Sequence, residues 1–180
     1  MKAVRLLEYG GQLVLDDVPT PAIARDEVLV KIKSTAVNHL DLVEASGTAR
    51  QIFPLDLPWI PGHEFSGVVE QIGSDVAAYA PGDAVFGNTT GMGAYAEYLS
   101  VKVSAIAKKP SNLSFEEAAS VPVACLARQG RKPLALRFFP LDTRLTRVLH
   151  AEHAPRAGQR RAQRRLVIEI ALDDFDALAR

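Results

Sequence analysis

The sequence predicts a mainly β protein, built as a partly open β-barrel with short helices. Short runs rich in Val, Ile, Leu and aromatic residues recur along the first two-thirds of the chain. Turn-favouring Gly, Pro, Asn and Asp separate these runs at regular intervals, which is typical of barrels and sandwiches. Helical patterns in this part of the chain are few and short. An Arg-rich tail of different composition follows.

The first 34 residues predict three strands. Apolar runs at 4–7 and 13–16 flank Gly10 and Gly11, a pair that suits the turn of a β-hairpin. Residues 27–34 then alternate apolar and polar side chains, as expected for a strand with one solvated face.

A short helix is predicted over residues 38–43. Asn38 is a favourable N-cap residue, and Asp41 occupies the third position after it. The following segment, 47–61, contains several prolines and predicts an irregular loop.

Further elements are predicted toward residue 120. Residues 94–101 and 105–107 have strand patterns. Ser114 and Glu117 have the spacing of a capping box, in which each side chain bonds the other residue's backbone N–H, so a helix should begin there.

The most informative spacing lies in residues 61–87. It begins with Pro-Gly-His-Glu, continues with a β-rich run and ends with a Pro-Gly-Asp turn at 81–83. His63 and Glu64 are therefore predicted to lie at the start of a strand. Three positions without a Cβ permit a turn or close backbone packing: Gly62, Gly67 and Gly73.

These residues resemble the catalytic domain of the medium-chain dehydrogenase/reductase superfamily, in which a Gly-His-Glu motif precedes spaced glycines. The resemblance runs in order from Met1 to about Ala124. It implies a GroES-like barrel over residues 1–124, and the zinc-free quinone oxidoreductase branch fits best. The segments that carry it are MKAVRLLEYGG, EVLVKIKSTAVNHLDL, PGHEFSGVV, PGDAVFG, GAYAEYLSV and SFEEAASVPVA.

The residues at the expected metal positions favour the zinc-free branch. In the zinc-dependent relatives, a Cys, the His of Gly-His-Glu and a second Cys hold the catalytic zinc. Here Asn38 stands at the first Cys position and Val123 at the second, with Cys125 two places away. An amide oxygen is a poor substitute for a thiolate on this ion. No zinc is therefore expected at His63.

The resemblance also implies where catalysis would occur. In the similar quinone oxidoreductases, the segment around Asn38 lines the nicotinamide and substrate cleft. The candidate catalytic residues are therefore Asn38, Asp41, His63 and Glu64. Each also has a structural alternative: Asn38 as a helix cap, Asp41 as a first-turn charge, and His63 and Glu64 as hydrogen-bonding residues at the cleft edge.

The resemblance implies NADPH as cofactor, although no cofactor-binding residues can be assigned. A dinucleotide site requires a glycine-rich turn at a helix N-terminus. Only Gly130 and Gly158 follow Ala124, so the G-x-G-x-x-G pattern does not occur there. Residues 91–96 match a looser form, but a strand pattern follows them. Weak NADPH binding by this chain alone is therefore expected.

Residues 125–180 form a region of uncertain structure. Residues 1–125 carry 9 basic and 15 acidic side chains, a net charge of −6, whereas residues 126–180 carry 12 and 6, a net charge of +6. The tail is too short for a Rossmann domain. A frameshift or truncated gene is the hypothesis for this change, and the other two reading frames beyond codon 124 would test it. The elements predicted in the tail are strands at 134–139 and 166–172 and helices at 143–153 and 173–179.

Composition argues against several classes of protein. No run approaches the roughly 20 apolar residues of a membrane span, and the charged N-terminus is unlike a signal peptide. The single cysteine, Cys125, excludes an internal disulfide. A cytoplasmic location is predicted. The arginines at 160–165 lack interleaved aromatic residues, so specific nucleic-acid binding is not expected.

Two functions remain open from the sequence. The first is a zinc-independent, NADPH-dependent reductase of quinones or enones, with impaired or no activity as a single chain. The second is a non-catalytic GroES-like barrel that acts as an interaction module or remnant. Exposure of the cleft surface would then predict self-association.

Overall fold

The structure, a computed structural model, describes residues 1–89 and 93–128. The prediction of a mainly β protein with short helices is confirmed. The elements predicted at 134–139, 143–153, 166–172 and 173–179 lie outside the described residues. In chain order the elements are β1 (Lys2–Leu6), β2 (Leu13–Asp17), β3 (Glu27–Thr35), α1 (His39–Ala45), β4 (Glu64–Ile72), β5 (Ala84–Asn88), β6 (Tyr98–Lys102), β7 (Ile106–Lys108), α2 (Phe115–Ala119) and α3 (Pro122–Arg128), with a 3-10 turn at Val103–Ala105.

The strands form a five-stranded sheet and a separate hairpin. The sheet has the order β6-β3-β4-β5-β7, and each neighbouring pair is antiparallel. β1 and β2 pair as the predicted antiparallel hairpin. Single bridges connect Ala3 to Ala96 and Leu6 to Trp59, which attach the hairpin to the loops beside the sheet. The described strands form no closed barrel, which agrees with the open arrangement that was predicted.

One hydrophobic cluster forms between residues of the central and outer strands of the sheet. Val and Ile from β3 pack with Phe65 and Val69 from β4 and with Leu99 and Val101 from β6. Phe65 is fully buried. Removal of such side chains from water is the main favourable contribution to folding. The full cluster is Val28, Val30, Ile32, Phe65, Val69, Val76, Val85, Ala94, Leu99 and Val101.

Some element boundaries differ from the prediction. The strand predicted over 94–101 begins only at Tyr98, because the N–H of Tyr95 bonds the carbonyl of Pro61 instead of a neighbouring strand. The strand predicted at 105–107 is shifted to 106–108, after the 3-10 turn. Helix α3 was not predicted, although Pro122 at its first position favours a helix start.

The two predicted helix starts are confirmed. Asn38 occupies the N-cap position of α1, and its N–H bonds the Asp41 carboxylate at 2.7 Å. At α2, Ser114 and Glu117 form the predicted capping box. Within the described ranges, no helix is long and apolar enough to cross a bilayer.

Candidate functional site

The Pro-Gly-His-Glu entry to β4 is held from two sides. On one side, the N–H of Gly62 donates to Asp41 Oδ1 at 3.1 Å. On the other, Thr89 Oγ1 donates to the carbonyl of Gly62 at 2.9 Å, and the N–H of Tyr95 donates to the carbonyl of Pro61 at 3.0 Å. The backbone that carries the next side chain, His63, is therefore fixed by hydrogen bonds.

Gly62 is required by both backbone conformation and space. Its φ is +104°, which side chains with a Cβ rarely adopt. A Cβ at this position would lie 2.6 Å from Tyr95 Cδ1 and 2.9 Å from Ala94 Cβ. The glycine of the motif thus allows β4 to begin directly against the loop that contains Tyr95.

The Glu64 carboxylate links three elements. The residue is only 3% exposed. Its Oε1 accepts a hydrogen bond from Asn38 Nδ2 at 3.0 Å, and its Oε2 accepts one from the N–H of Val123 at 2.8 Å. Glu64 therefore joins the starts of α1, β4 and α3, and this geometry matches the hydrogen-bonding role that the sequence offered as its alternative.

The same contacts test whether the family's catalytic zinc would fit. The three ligand positions implied by the resemblance are Asn38, His63 and Val123. Asn38 directs its amide nitrogen to Glu64, and Val123 contributes only a backbone N–H to the same carboxylate. The set supplies one imidazole and no thiolate, so it does not fit that zinc.

His63 lies against helix α1 rather than standing alone. Its Nε2 is 2.8 Å from Glu44 Oε2 and 3.9 Å from Asp41 Oδ1. Burial by itself would lower the pKa of His63, but the adjacent carboxylates of Glu44, Asp41 and Glu64 outweigh burial and raise it above its ordinary value. His63 thus holds a proton more tightly than a solvent-exposed histidine.

Asp41 and Tyr95 are two further buried titratable groups at this place. Burial raises the pKa of Asp41, although hydrogen bonds from the N–H groups of Asn38 and Gly62 and the charge of His63 act in the opposite direction. Burial also raises the pKa of Tyr95, and the carboxylate of Asp41 raises it further. Burial acts in the same way on the two groups, because it removes the charged form of each from water.

The structure brings the four predicted site residues together and adds two that sequence reasoning missed. Asn38, Asp41, His63 and Glu64 are joined by the contacts described above. Glu44 was missed, although it lies three residues after Asp41 on the same face of α1, a spacing that predicts neighbouring side chains. Tyr95 was missed because its proximity to Asp41 arises only from the fold.

The site residues differ in their access to solvent. Asp41 and Glu64 are each 3% exposed, whereas Asn38 and His63 are partly exposed. From the solvent side, an organic molecule would therefore meet the amide of Asn38 or the imidazole of His63 before the two buried carboxylates.

The loose glycine pattern at 91–96 leads to a strand and not to a helix. Gly93 has a φ of +107°, and β6 begins five residues later. The rejection of this segment as a dinucleotide site is thus consistent with the local structure, because phosphate binding of this type uses a helix N-terminus.

The family comparison agrees with this fold. Residues 24–111 match the family described as the Alcohol dehydrogenase GroES-like domain. Over this domain, the N-terminal part of the chain is similar to the medium-chain dehydrogenase/reductase superfamily. Within it, the similarities fall in the quinone oxidoreductase-like branch.

Three curated relatives illustrate that branch. "NAD(P)H oxidoreductase RTN4IP1, mitochondrial" of Dictyostelium discoideum is 40% identical over 134 residues, which are 70% of this chain and 38% of the relative. "Quinone oxidoreductase" of Homo sapiens is 36% identical over 126 residues, which are 68% of this chain and 38% of the relative. "NADPH-dependent alkenal/one oxidoreductase, chloroplastic" of Arabidopsis thaliana is 34% identical over 135 residues, which are 69% of this chain and 35% of the relative.

Solved structures show the same partial match. The quinone oxidoreductase from Coxiella burnetii aligns with a TM-score of 0.66 and 35% identity, over 72% of this chain and 43% of that one. The Escherichia coli quinone oxidoreductase complexed with NADPH aligns with a TM-score of 0.65 and 27% identity, over 71% of this chain and 39% of that one. The chain thus spans less than half the length of these proteins.

Proposed function

We propose that this chain is an NADPH-dependent reductase of quinones or activated enones whose cleft works without the family's catalytic zinc. The observation that carries the proposal is the replacement of both thiolate positions by residues bonded to Glu64, namely Asn38 and Val123. The relatives named as quinone and alkenal/one oxidoreductases support the acceptor class. The complex of the Escherichia coli relative with NADPH supports the cofactor.

In this proposal, the described residues form the polar edge of the substrate cleft. NADPH, when bound, supplies the hydride that reduces the conjugated acceptor. Asn38 and His63 are partly exposed, so they are the groups that would contact and polarise an acceptor carbonyl. Asp41 and Glu64 would act as positioning residues, since their carboxylates hold the backbone of Gly62 and the side chain of Asn38.

The dinucleotide-binding elements are not found among residues 1–89 and 93–128. Weak activity or no activity of the chain by itself is therefore part of the proposal. The domain boundary after residue 124 also remains a prediction, and helix α3 runs through it. A cytoplasmic location belongs to the same proposal, whereas one relative carries the word mitochondrial in its name.

Titration of NADPH into the purified chain tests this function. Saturable enhancement and a blue shift of the nicotinamide fluorescence are expected below millimolar cofactor, with weak affinity. A quinone or an enone should then accelerate the loss of NADPH only slowly. An unchanged spectrum at millimolar NADPH would contradict the proposal and favour a non-catalytic barrel that binds another protein.

Two variants locate the activity if it is present. Removal of one hydrogen-bond donor that stabilises a developing oxyanion typically lowers kcat about 100- to 1,000-fold, so Asn38→Ala or His63→Gln should have an effect of that order. His39→Gln is the matched control, because His39 is an exposed histidine on helix α1, next to Asn38. Equal activity in all three variants would remove Asn38 and His63 from the mechanism.

A further inference from the structure

We infer that Asp41, Glu44 and His63 form a binding site for one divalent transition-metal ion, zinc or manganese, that links α1 to the start of β4. Each residue offers one ligand atom, and these atoms lie within 4.8 Å of one another. One imidazole and two carboxylates suit these two ions, because zinc accepts nitrogen and oxygen ligands and manganese prefers oxygen.

The distances are close to those around a bound ion. His63 Nε2 lies 2.8 Å from Glu44 Oε2 and 3.9 Å from Asp41 Oδ1. Ligand atoms that share one zinc at bond lengths of about 2.1 Å are separated by roughly 3 to 3.5 Å. Side-chain movements of about 1 Å would therefore place all three atoms around a common ion.

The charge at this place also favours a divalent cation. Asp41 and Glu44 are only 3% and 4% exposed. In the part of the chain that the structure describes, the one cationic group in an ion pair with either carboxylate is His63. Burial of two carboxylates against a single imidazolium leaves net negative charge in a poorly solvated place, which is unfavourable. A divalent ion would neutralise both.

Tyr95 provides an independent observation. The residue is 8% exposed, and its hydroxyl is buried with no partner in hydrogen-bonding geometry. The same hydroxyl is close enough to Asp41 for the two groups to interact. An unsatisfied buried hydroxyl beside the cluster is costly as it stands. It would gain an interaction with the ion or with a water molecule in the ion's coordination sphere.

This site shares only His63 with the zinc position of the related alcohol dehydrogenases, whose other two ligands lie at positions 38 and 123; here Asp41 and Glu44 replace them. Asp41 and Glu44 project from α1 with a spacing of three residues, so both face the imidazole. An ion at Nε2 would leave the ring proton on Nδ1, which fixes the tautomer of His63. Metal binding here does not require NADPH, so its failure would leave the proposed reductase function untested and intact.

The test is calorimetric titration of Zn²⁺ and Mn²⁺ into the full chain at pH 8, after treatment with EDTA. His150→Gln and His153→Gln are introduced in every sample so that these two histidines contribute no binding. One ion per chain should bind with micromolar or tighter affinity. The ion should also raise Tm, because a ligand specific for the folded state stabilises it.

Glu44→Gln and Asp41→Asn should each weaken binding at least about tenfold. His39→Gln is the matched control and should bind normally. Mn²⁺ should also broaden the amide NMR signals of Gly62 and His63 in the unsubstituted cluster, which tests the site even if a variant folds poorly. The inference is overturned by the absence of binding at millimolar metal, by unchanged affinity in both cluster variants, or by broadening elsewhere only.

Discussion

Gly62 shows how one residue of the motif controls local geometry. Gly62→Ala should lower the free energy of unfolding by about 2 to 4 kcal/mol, because the Cβ adds backbone strain at positive φ and clashes with Tyr95. Urea denaturation measures the loss.

Gly10→Ala is the control for strain alone. Gly10 has a φ of +72°, but a Cβ there meets nothing within 4 Å. Gly10→Ala should therefore lower the free energy of unfolding by only about 1 kcal/mol. Equal losses in the two variants would show that contact with Tyr95 contributes nothing at Gly62.

His63 should titrate above the ordinary histidine value. Its imidazole lies beside Glu44 and Asp41 on α1 and Glu64 on β4, and these carboxylates raise the pKa of His63. An NMR titration in EDTA should give a midpoint above 6.5, the usual histidine pKa. Glu44→Gln should lower the midpoint, since it removes the 2.8 Å charged contact.

Asp75→Asn is the control for this titration. Asp75 is an exposed partner of Arg25, away from α1. A midpoint of His63 that shifts equally in both variants would mean that the contact with Glu44 does not set the pKa.

Among the elements, α1, β4 and α3 are coupled through a single carboxylate. Glu64→Gln would place an amide NH₂ opposite one of the two donors, Asn38 Nδ2 or the N–H of Val123. A buried donor left without an acceptor costs about 1 to 3 kcal/mol, so unfolding should become easier by that amount. Hydrogen exchange at the amide of Val123 should become faster as α3 detaches.

Glu70→Gln provides the comparison on the same strand. Glu70 is exposed on β4, so its replacement should change stability by less than about 0.5 kcal/mol. If Glu64→Gln changed stability as little as Glu70→Gln, the hydrogen bonds of Glu64 to α1 and α3 would not contribute to stability.

For the molecule as a whole, stability depends on the cluster between the strands of the five-stranded sheet. Phe65 is fully buried on β4, a central strand, and contacts no solvent. Phe65→Ala should cost about 3 to 5 kcal/mol through lost burial and the resulting cavity. Chemical denaturation should show this as a lower midpoint with a similar slope.

Ile72 is the control at the opposite end of β4. It is 36% exposed, so Ile72→Ala should cost less than about 1 kcal/mol. A small effect at Phe65 would imply that the sheet is stabilised mainly by hydrogen bonding.

The local order of the chain was predictable because it depends on neighbouring residues. The hairpin around Gly10, the strand beginning at Glu27 and the two capped helix starts follow from turn chemistry, side-chain alternation and capping. The spacing of Gly62, His63 and Glu64 also identified the family. What could not be predicted is that the start of helix α3 bonds Glu64, which lies 59 residues earlier in the chain.

The composition of the site depended on long-range contacts. Glu64 meets Asn38 across 26 residues, and His63 meets Glu44 across 19. Such pairings have no local sequence signal, because they arise when β4 packs beside α1. The sequence therefore indicated the family and most of the polar residues of this cluster. The packing of strand against helix was needed to join His63 to Glu44 and to bring Tyr95 beside Asp41.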